Sequence, residues 1–479
     1  MKLSNFIDGH YIAPINDQYI QNINPATNEL ISLIPNSSPE DIQLAVNAAN
    51  KASKSWSNYT GEDRFKILNK IAELIEANID ELALAETNDT GKPLKLSKTI
   101  DIPRAASNFR FFATSALQFS SESHSSGPNI INYTLRQAIG IVGCISPWNL
   151  PLYLFTWKIA PALASGNCVI AKPSELSPTT AFLLGKICNE AGLPPGVLNI
   201  VHGDGIQAGT AIVSHPSIKA ISFTGGTNTG KKIASVAAPM FKKLSLELGG
   251  KNPCIVFADC DYDKTLSEVS RLAFTNQGQI CLCGSRILIE KPIYEKFKND
   301  LVQKVKQLHI GDPLESQTQI GALISKSHQE KVLSYVELAK QEGGIILIGG
   351  EKYTGHGRCQ DGAFVSPTII ENLKPNCRTN QEEIFGPVIS LMSFETIDEA
   401  IELANNSNYG LAASVWSQDI QNCMRLTKEI NTGIVWINCW LVRDLRTPFG
   451  GMKDSGVGRE GGDEAMRFFT EAKNVCIKW

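Results

Sequence analysis

The sequence lacks several features that would place it in a familiar class of protein. It has no excess of basic residues, because 45 Lys and Arg stand against 48 Asp and Glu, a net charge of −3. This balance excludes a strongly basic nucleic-acid-binding protein. It also has no long uninterrupted apolar run, since residues 141–163 contain three prolines together with Asn149 and Lys158. A membrane-spanning helix is therefore not predicted.

The cysteines and histidines show no familiar spacing either. The 12 cysteines include no CxxC pair and no disulfide framework, and the first ten residues, MKLSNFIDGH, lack the apolar segment of a secretory signal. Both observations predict reduced thiols in an intracellular, cytoplasmic protein. The seven histidines form no HExxH or comparable cluster, so that no metal site is predicted.

What is present predicts a large α/β protein. The 479 residues are 43% hydrophobic, enough to bury a large core, and their number corresponds to about three domains. Between Asp63 and Asn88 apolar residues recur every three or four positions, which predicts one helix. A second helix is predicted over residues 102–117.

From Ala138 onwards, short β-branched runs alternate with helical segments. Five of these runs are predicted strands: residues 139–145, 168–171, 197–201, 220–223 and 244–246. Apolar strands separated by helices are typical of a doubly wound parallel sheet that binds a nucleotide beyond the carboxyl ends of its strands. A second α/β series begins at Pro253. The last strand-like run, residues 474–479, needs a partner strand, and the sequence leaves open whether another subunit supplies it.

Two glycine-rich segments resemble nucleotide-binding motifs without matching them fully. Residues 203–208 fit GxGxxG/A, but they follow the third predicted strand and not the first, so a tight turn is favoured over a dinucleotide loop. Residues 225–231 fit GxxxxGK, but Lys232 stands where a P-loop has Ser or Thr. An ATPase is therefore not predicted, although the helix that follows could hold a pyrophosphate at its N-terminus.

Three further segments contain candidate catalytic residues. Asn149 follows the first strand of the parallel series and has amide donors suited to an oxyanion, but a turn asparagine between two prolines is an equal alternative. Glu247 ends an apolar strand, where burial would raise its pKa and suit it to general base catalysis. A strand-end ion pair is the alternative. Cys281 follows a flexible glycine-containing stretch, and it is either a nucleophile or a buried small hydrophobe.

Together these segments resemble the NAD(P)-dependent aldehyde dehydrogenase superfamily over nearly the whole chain. The matching motifs occur in the expected order: PWNLP, KPSE, FTG, LELGGKNP, NQGQIC, EEIFGP and PFGGMKDSGVGRE. The resemblance implies an α/β fold with a Rossmann-like NAD-binding domain at residues 1–118 and 139–248, an α/β catalytic domain at 249–445, and a small bridging β element for oligomerisation at 119–138 and 465–479. It also implies a homodimer or homotetramer.

The same resemblance implies a role for each candidate catalytic residue. Cys281 would attack the aldehyde carbon, and the Asn149 amide together with the Cys281 backbone N–H would hold the resulting oxyanion. Loss of hydride would leave a thioester on Cys281, and Glu247 would activate the water that hydrolyses it. Sulfur suits the first step because it attacks well and leaves acceptably, and a carboxylate of raised pKa can accept a proton near neutrality.

NAD is the cofactor that the resemblance implies. Glu175, paired with Lys172 at the adenine ribose, would accept hydrogen bonds from the 2′-hydroxyl and repel a 2′-phosphate, which favours NAD over NADP. The family commonly has FTGS where this chain has Gly226, so that a hydroxyl that could bind pyrophosphate is absent there. The other implied cofactor contacts are Ile145, Ser146, Trp148, Gly205, Phe223, Thr224, Gly225, Leu248, Glu383 and Phe385.

The substrate class is indicated by arginines in two segments. The run NCWLVRDLR at 438–446 contains Arg443, and the run DIPR contains Arg104. A guanidinium suits planar, bidentate binding of a carboxylate, so Arg104 and Arg443 are the candidate contacts. Arg446 is a weaker candidate. The alternative is that one or both arginines form ordinary ion pairs, for example with Asp444.

These segments resemble the 2-aminomuconic and 2-hydroxymuconic semialdehyde dehydrogenases. The resemblance implies an unsaturated six-carbon semialdehyde with a carboxylate as the substrate, and a place in tryptophan catabolism by the kynurenine route. Two alternatives remain. One is a broad-specificity or betaine-aldehyde dehydrogenase, and the other is a non-catalytic dinucleotide-binding or structural relative. The presence of both Cys281 and Glu247 argues against the second.

Overall fold

The computed structural model describes all residues, 1–479, and its largest element is an eight-stranded sheet, here called the first sheet. Its strands lie in the spatial order His10–Ile12, Asn5–Ile7, Leu198–Ile200, Cys168–Lys172, Ile141–Ile145, Ile218–Thr224, Lys243–Glu247 and Gly456–Val457. The five strands in the middle are parallel, which confirms the predicted parallel sheet. Their order, 3-2-1-4-5 along the chain, is that of a doubly wound nucleotide-binding sheet.

A seven-stranded second sheet holds the second α/β series. Its strands lie in the order Ile345–Ile348, Thr368–Glu371, Val388–Phe394, Gly284–Glu290, Asn252–Val256, Ala412–Trp416 and Ile434–Ile437. Only the first of these pairs antiparallel with its neighbour. The central strands are buried on both faces, as near-continuous apolar runs in parallel sheets are.

The helices cover these sheets and differ from the predictions between Asp63 and Asn88 and at the unpredicted helix Pro39–Ser57. One helix was expected between Asp63 and Asn88, but the structure has two, because the chain breaks at Asn78. The second predicted helix is confirmed as Ile102–Gln118. The α-helices are Pro39–Ser57, Gly61–Ala77, Ile79–Thr90, Leu94–Leu96, Ile102–Gln118, Pro151–Ala164, Thr179–Glu190, Thr210–Ser214, Thr227–Ala237, Tyr262–Phe274, Tyr294–Lys306, Lys326–Gln341, Arg378–Gln381, Ile397–Asn405, Ile420–Glu429 and Gly462–Phe468. None of them is long and apolar enough to cross a membrane.

A smaller third sheet contains the strand whose partner was left open by the sequence. The strand Thr470–Lys478 pairs antiparallel with Ile130–Ala138 of the same chain, which also pairs with Ser123–Ser125. No other subunit is needed for this pairing. Three two-stranded sheets complete the fold: Tyr19–Ile23 with Leu30–Pro35, Lys352–Tyr353 with Phe364–Val365, and Tyr409–Gly410 with Met452–Lys453.

Separate apolar cores lie around the two large sheets. A core of 60 buried residues surrounds the first sheet, and cores of 26 and 12 residues surround the second. Phe449 packs on the largest core and also on the second-sheet core that contains Leu150 and Tyr153. The region between the cores is where the candidate catalytic residues meet.

Candidate active site

Two of the candidate catalytic residues line one cavity between the large sheets. The cavity has a volume of about 50 Å³, and both Glu247 and Cys281 contribute to its wall. Glu247 is the last residue of the first-sheet strand Lys243–Glu247, whereas Cys281 lies shortly before the second-sheet strand Gly284–Glu290. The fold therefore brings a thiol and a carboxyl together from different sheets.

The loop before Cys281, expected to be flexible, is held in place by side-chain hydrogen bonds. Asn276 and Gln277 have φ values of 53° and 56°, a left-handed conformation that costs free energy in residues other than glycine. The Gln277 amide donates to the Ala322 carbonyl at 3.0 Å. The Asn276 amide donates to the Asn149 carbonyl, also at 3.0 Å. These bonds offset the strain and fix the backbone in front of the thiol.

The Cys281 thiol is in an environment that keeps its proton. Burial raises the pKa of this thiol, and the carboxyl groups of Glu383 and Glu247 raise it further, while the positive charge of Arg443 lowers it. Attack on a carbonyl therefore requires that a base accept the thiol proton. The backbone N–H of Cys281 makes no backbone hydrogen bond, so this donor is available to an oxyanion.

Glu247 is isolated from hydrogen-bond partners. Its side chain is 4% exposed, and neither carboxyl oxygen has a protein partner, so the strand-end ion pair considered from the sequence is not formed. Burial raises the pKa of Glu247 well above its usual range, and the carboxyl of Glu460 raises it further. A Cβ atom on Gly450 would lie 2.7 Å from Glu247 Oε1, so the backbone can approach the carboxyl this closely only as glycine. A buried carboxyl of raised pKa is suited to accept a proton.

Asn149 is not among the residues that line this cavity, and hydrogen bonds fix both its amide and its carbonyl. It is 3% exposed, and its Nδ2 donates to the carbonyl of Gln279 at 2.9 Å, which leaves one amide hydrogen free. Its main-chain carbonyl accepts from Lys92 Nζ at 2.9 Å. Lys92 is fully buried and pairs with Glu86 at 3.1 Å and Asp101 at 2.6 Å. The sequence analysis gave no sign of this ionic cluster beneath the asparagine.

A second and larger cavity, of about 560 Å³, opens at the carboxyl ends of the first-sheet strands. Thr224 lines both cavities, so they adjoin each other. Ten of the predicted cofactor contacts line this second cavity: Ile145, Ser146, Trp148, Lys172, Glu175, Gly205, Phe223, Thr224, Gly225 and Gly226. Its position follows the rule that doubly wound sheets bind ligands beyond the carboxyl ends of their strands.

The polar groups of the second cavity fit a dinucleotide. The hydroxyls of Ser146 and Thr224 are buried without a partner, and Lys172 Nζ lies 3.2 Å from Glu175 Oε2. Gly226 is the N-cap of helix Thr227–Ala237, which has no side-chain cap, and the space around its missing Cβ is open. The free N–H groups of that helix end can hold an anion without a serine hydroxyl.

The GxGxxG-like segment forms part of the same wall. Instead of a tight turn, residues Gly205–Gly209 form one turn of π-helix that continues into Thr210–Ser214. Gly205 and Gly209 both line the second cavity. The backbone of this segment is thus available to a bound ligand, although it is not the first loop of the sheet.

The three remaining predicted cofactor contacts lie nearer to the thiol. Leu248 lines the cavity of Glu247 and Cys281. Glu383 and Phe385 line a third and much smaller cavity, of about 20 Å³, together with Cys281. Glu383 accepts a hydrogen bond from the Gly250 N–H at 2.8 Å. The Phe385 ring meets Trp148 edge to face with 5.3 Å between centroids, which joins this cavity to the larger one.

Arg443 and Arg104 also line the cavity of Glu247 and Cys281. The Arg443 guanidinium carbon lies 4.0 Å from the Trp157 ring centre and 4.2 Å from that of Phe449. Its Nη2 is buried without a partner. The weaker candidate, Arg446, lies outside this cavity and forms a 2.6 Å ion pair with Asp444.

Arg446 therefore forms an ordinary ion pair with Asp444, whereas Arg104 and Arg443 form no ion pair in the protein. Arg104 donates only to the Leu441 carbonyl, at 3.5 Å, and Arg443 donates to the Tyr153 hydroxyl. Neither has a carboxylate partner in the protein. A half-buried guanidinium without a counterion is well placed to bind an anionic ligand.

Several residues of this cavity were missed by the sequence analysis. Tyr153 and Arg271 line it beside the two predicted arginines, and Arg271 pairs with Glu268 at 2.6 Å. Glu460 also lines it and pairs with Lys158 at 2.7 Å. None of these residues stands out by local pattern, because each reaches the cavity only through the packing of distant segments.

Known proteins resemble the chain over its whole length. A family profile described as "Aldehyde dehydrogenase family" matches residues 11–475. A human protein named 2-aminomuconic semialdehyde dehydrogenase is 48% identical over 481 residues, covering 100% of this chain and 98% of the relative. A protein of Pseudomonas sp. strain CF600 named 2-hydroxymuconic semialdehyde dehydrogenase is 43% identical over 483 residues, covering 100% and 99%.

Solved structures show the same architecture. A betaine aldehyde dehydrogenase from Staphylococcus aureus in complex with NAD⁺ superposes with a TM-score of 0.96 at 37% identity, covering 99% of this chain and 96% of the other. An NAD⁺ complex of an aldehyde dehydrogenase from Bacillus cereus gives a TM-score of 0.97 at 37% identity, covering 100% and 97%.

Proposed function

Because the chain belongs to the aldehyde dehydrogenase family, we propose that it oxidises a carboxylate-bearing unsaturated semialdehyde to the acid with NAD. The substrate proposed is 2-aminomuconate 6-semialdehyde or its 2-hydroxy analogue, the substrates named for relatives at 48% and 43% identity. The observation that carries this substrate class is the half-buried guanidinium of Arg443, whose Nη2 is buried without a partner in the cavity of the thiol.

The proposed chemistry uses three residues of this chain. Cys281 forms a bond from sulfur to the aldehyde carbon and releases its proton to solvent, while Glu247 in the same cavity keeps its unpartnered carboxyl oxygens for the later step. The oxyanion is held by the Cys281 N–H and the spare amide hydrogen of Asn149. After hydride loss, Glu247 takes a proton from the water that attacks the thioester, which restores the thiol and releases the acid.

The proposed cofactor site is the cavity of about 560 Å³. NAD, when bound, supplies the hydride acceptor. Glu175 and Lys172 would hold the adenine ribose, and the N-terminus of helix Thr227–Ala237 would hold the pyrophosphate. The carboxylate of Glu175 would repel the additional phosphate of NADP, which makes NAD the preferred form. Glu383 and Phe385 would hold the nicotinamide end close to Cys281.

The substrate proposal predicts a clear preference for an anionic aldehyde. Steady-state kinetics on 2-hydroxymuconic semialdehyde, betaine aldehyde and hexanal should give the largest kcat/KM for the muconic compound. The reason is that a charge-assisted hydrogen bond to a guanidinium contributes about 1.5–3 kcal/mol, on the order of 10- to 100-fold. A larger kcat/KM for hexanal would contradict the substrate class while leaving the aldehyde dehydrogenase activity intact.

Arg443→Ala should weaken binding of the muconic substrate specifically. Its KM should rise by about 10- to 100-fold, because the main counterion for the carboxylate is lost, while the KM for hexanal changes little. Arg446→Ala is the matched control, since Arg446 is exposed, paired with Asp444 and outside the cavity. Equal changes for both aldehydes in Arg443→Ala would show that this arginine only supports the cavity wall.

We also propose a domain organisation, an oligomeric state and a cellular location for the chain. We propose residues 1–118 with 139–248 as the NAD-binding domain and 249–445 as the catalytic domain. The third sheet joins residues 119–138 and 465–479, and we propose it as the bridging element of a homodimer or homotetramer. A cytoplasmic location and a role in tryptophan catabolism are proposed as well, the former because all 12 cysteines are free.

A further inference from the structure

We propose that Tyr153 is a third binding group for the substrate carboxylate, donating from its hydroxyl beside Arg443 and Arg104. This inference rests on the proposed function, because it concerns the same anionic end of the substrate. Its position in the cavity makes Tyr153 a substrate-binding residue, and its hydroxyl would favour anionic over neutral aldehydes.

The position of the Tyr153 ring is fixed by its surroundings. It is on the helix Pro151–Ala164, is 6% exposed, and lines the cavity of Glu247 and Cys281. The backbone carbonyl of Tyr153 accepts from the Asn108 amide at 3.0 Å. A buried ring on a well-anchored turn of helix loses little further freedom when a ligand binds, which favours affinity.

The Tyr153 ring makes cation–π contacts with both candidate arginines. The guanidinium carbons of Arg104 and Arg443 lie 5.7 and 5.6 Å from its centre, within the range of cation–π attraction. One aromatic side chain thus contacts two cations that have no carboxylate partner in the protein. Both positive charges therefore gain attraction from the same ring, so that the tyrosine keeps both near one point of the cavity.

The hydroxyl of Tyr153 has a free donor. Arg443 Nη1 donates to the phenolic oxygen, so that an oxygen lone pair is occupied and the O–H proton must be directed elsewhere. No protein group accepts it. Beside it, Nη2 of Arg443 is also buried without a partner. Two adjacent unpaired donors in a cavity with a second guanidinium match the two oxygens of a carboxylate.

The test compares Tyr153→Phe with the wild type on two kinds of ligand. The substitution removes only the hydroxyl and keeps the ring, so folding should be preserved. We expect the KM for 2-hydroxymuconic semialdehyde to rise about 10-fold or more, and this rise should be several times larger than any change in the KM for hexanal. The inhibition constant of sorbate, a six-carbon diene carboxylate without an aldehyde, should rise by a similar factor. Tyr153→Leu, which also removes the ring, should have the larger effect on both anions.

Tyr294→Phe is the matched control, because its hydroxyl bonds Glu371 and its side chain lies outside this cavity. An unchanged sorbate constant in Tyr153→Phe, or equal changes for the muconic compound and hexanal, would overturn the inference. The proposed function is judged separately. If Arg443→Ala discriminates between the aldehydes and Tyr153→Phe does not, only the role of Tyr153 fails. If the wild type prefers hexanal, both fail.

Discussion

Replacement of Cys281 by serine should abolish aldehyde oxidation. We expect kcat to fall by about 10⁴-fold or more, the scale on which enzymes lose activity without their covalent nucleophile. A serine hydroxyl is a weaker nucleophile than a thiolate, and the buried carboxyls that already raise the pKa of Cys281 would oppose its ionisation further. The measurement is NADH formation by absorbance, in both the first turnover and the steady state.

Cys283→Ser provides the control for this result. Cys283 lies two residues further on, is also buried and lines the third cavity with Cys281, so its replacement tests a comparable change in packing. It should retain most of the activity. The Cys281→Ser protein should still bind NAD, as measured by fluorescence titration. Retained turnover in Cys281→Ser, or loss of turnover in Cys283→Ser alone, would show that Cys281 is not the nucleophile.

Replacement of Glu247 by glutamine should stop the reaction after the thioester has formed. The amide preserves the shape of the carboxyl but cannot accept a proton, so steady-state turnover should fall by about 10²- to 10⁴-fold, the usual contribution of a general base. Rapid mixing should detect a burst of NADH of up to one equivalent per active site, followed by almost no further formation. A large loss of both phases would mean that the carboxyl is needed mainly to deprotonate Cys281.

The pH dependence of turnover offers a second measurement of Glu247. The group acts as a base only when ionised, and its pKa lies well above the usual range because of burial and Glu460. Deacylation in the wild type should therefore increase with pH until Glu247 is fully ionised, and this limb should disappear in Glu247→Gln. The same limb in the variant would point to another titrating group.

The site could be predicted from the sequence where the chemistry is local. Cys281, Glu247 and Asn149 stand in short segments with residue types that suit their proposed tasks, and the glycines of the second cavity stand at the ends of strands. Tyr153 could not be found in this way. The proposed binding role of Tyr153 depends on its contacts with Arg104 and Arg443. These arginines are far from it in sequence and approach it only when helices and loops have packed.

The errors in the predicted elements also have physical causes. Apolar periodicity continues across Asn78, so it gave no sign of the helix break there. The helix Pro39–Ser57 was not predicted, although Ser38 and Asp41 form a capping box and proline stands at the first helical position, which together are a usual start signal. The loop before Cys281 was expected to be flexible because its order depends on hydrogen bonds from amide side chains to carbonyls of distant segments. Such bonds leave no local sequence pattern.

The pairing of Thr470–Lys478 with Ile130–Ala138 has a consequence for how the chain tolerates shortening. Nine residue pairs join these strands, and Ser123–Ser125 occupies only part of the opposite side. Deleting the segment from residue 470 would expose one edge of the nine-residue strand Ile130–Ala138, whose N–H and C=O groups along that edge would lose their partner strand. Such an edge readily recruits strands from other molecules, so a truncated protein should precipitate even with its chemistry intact.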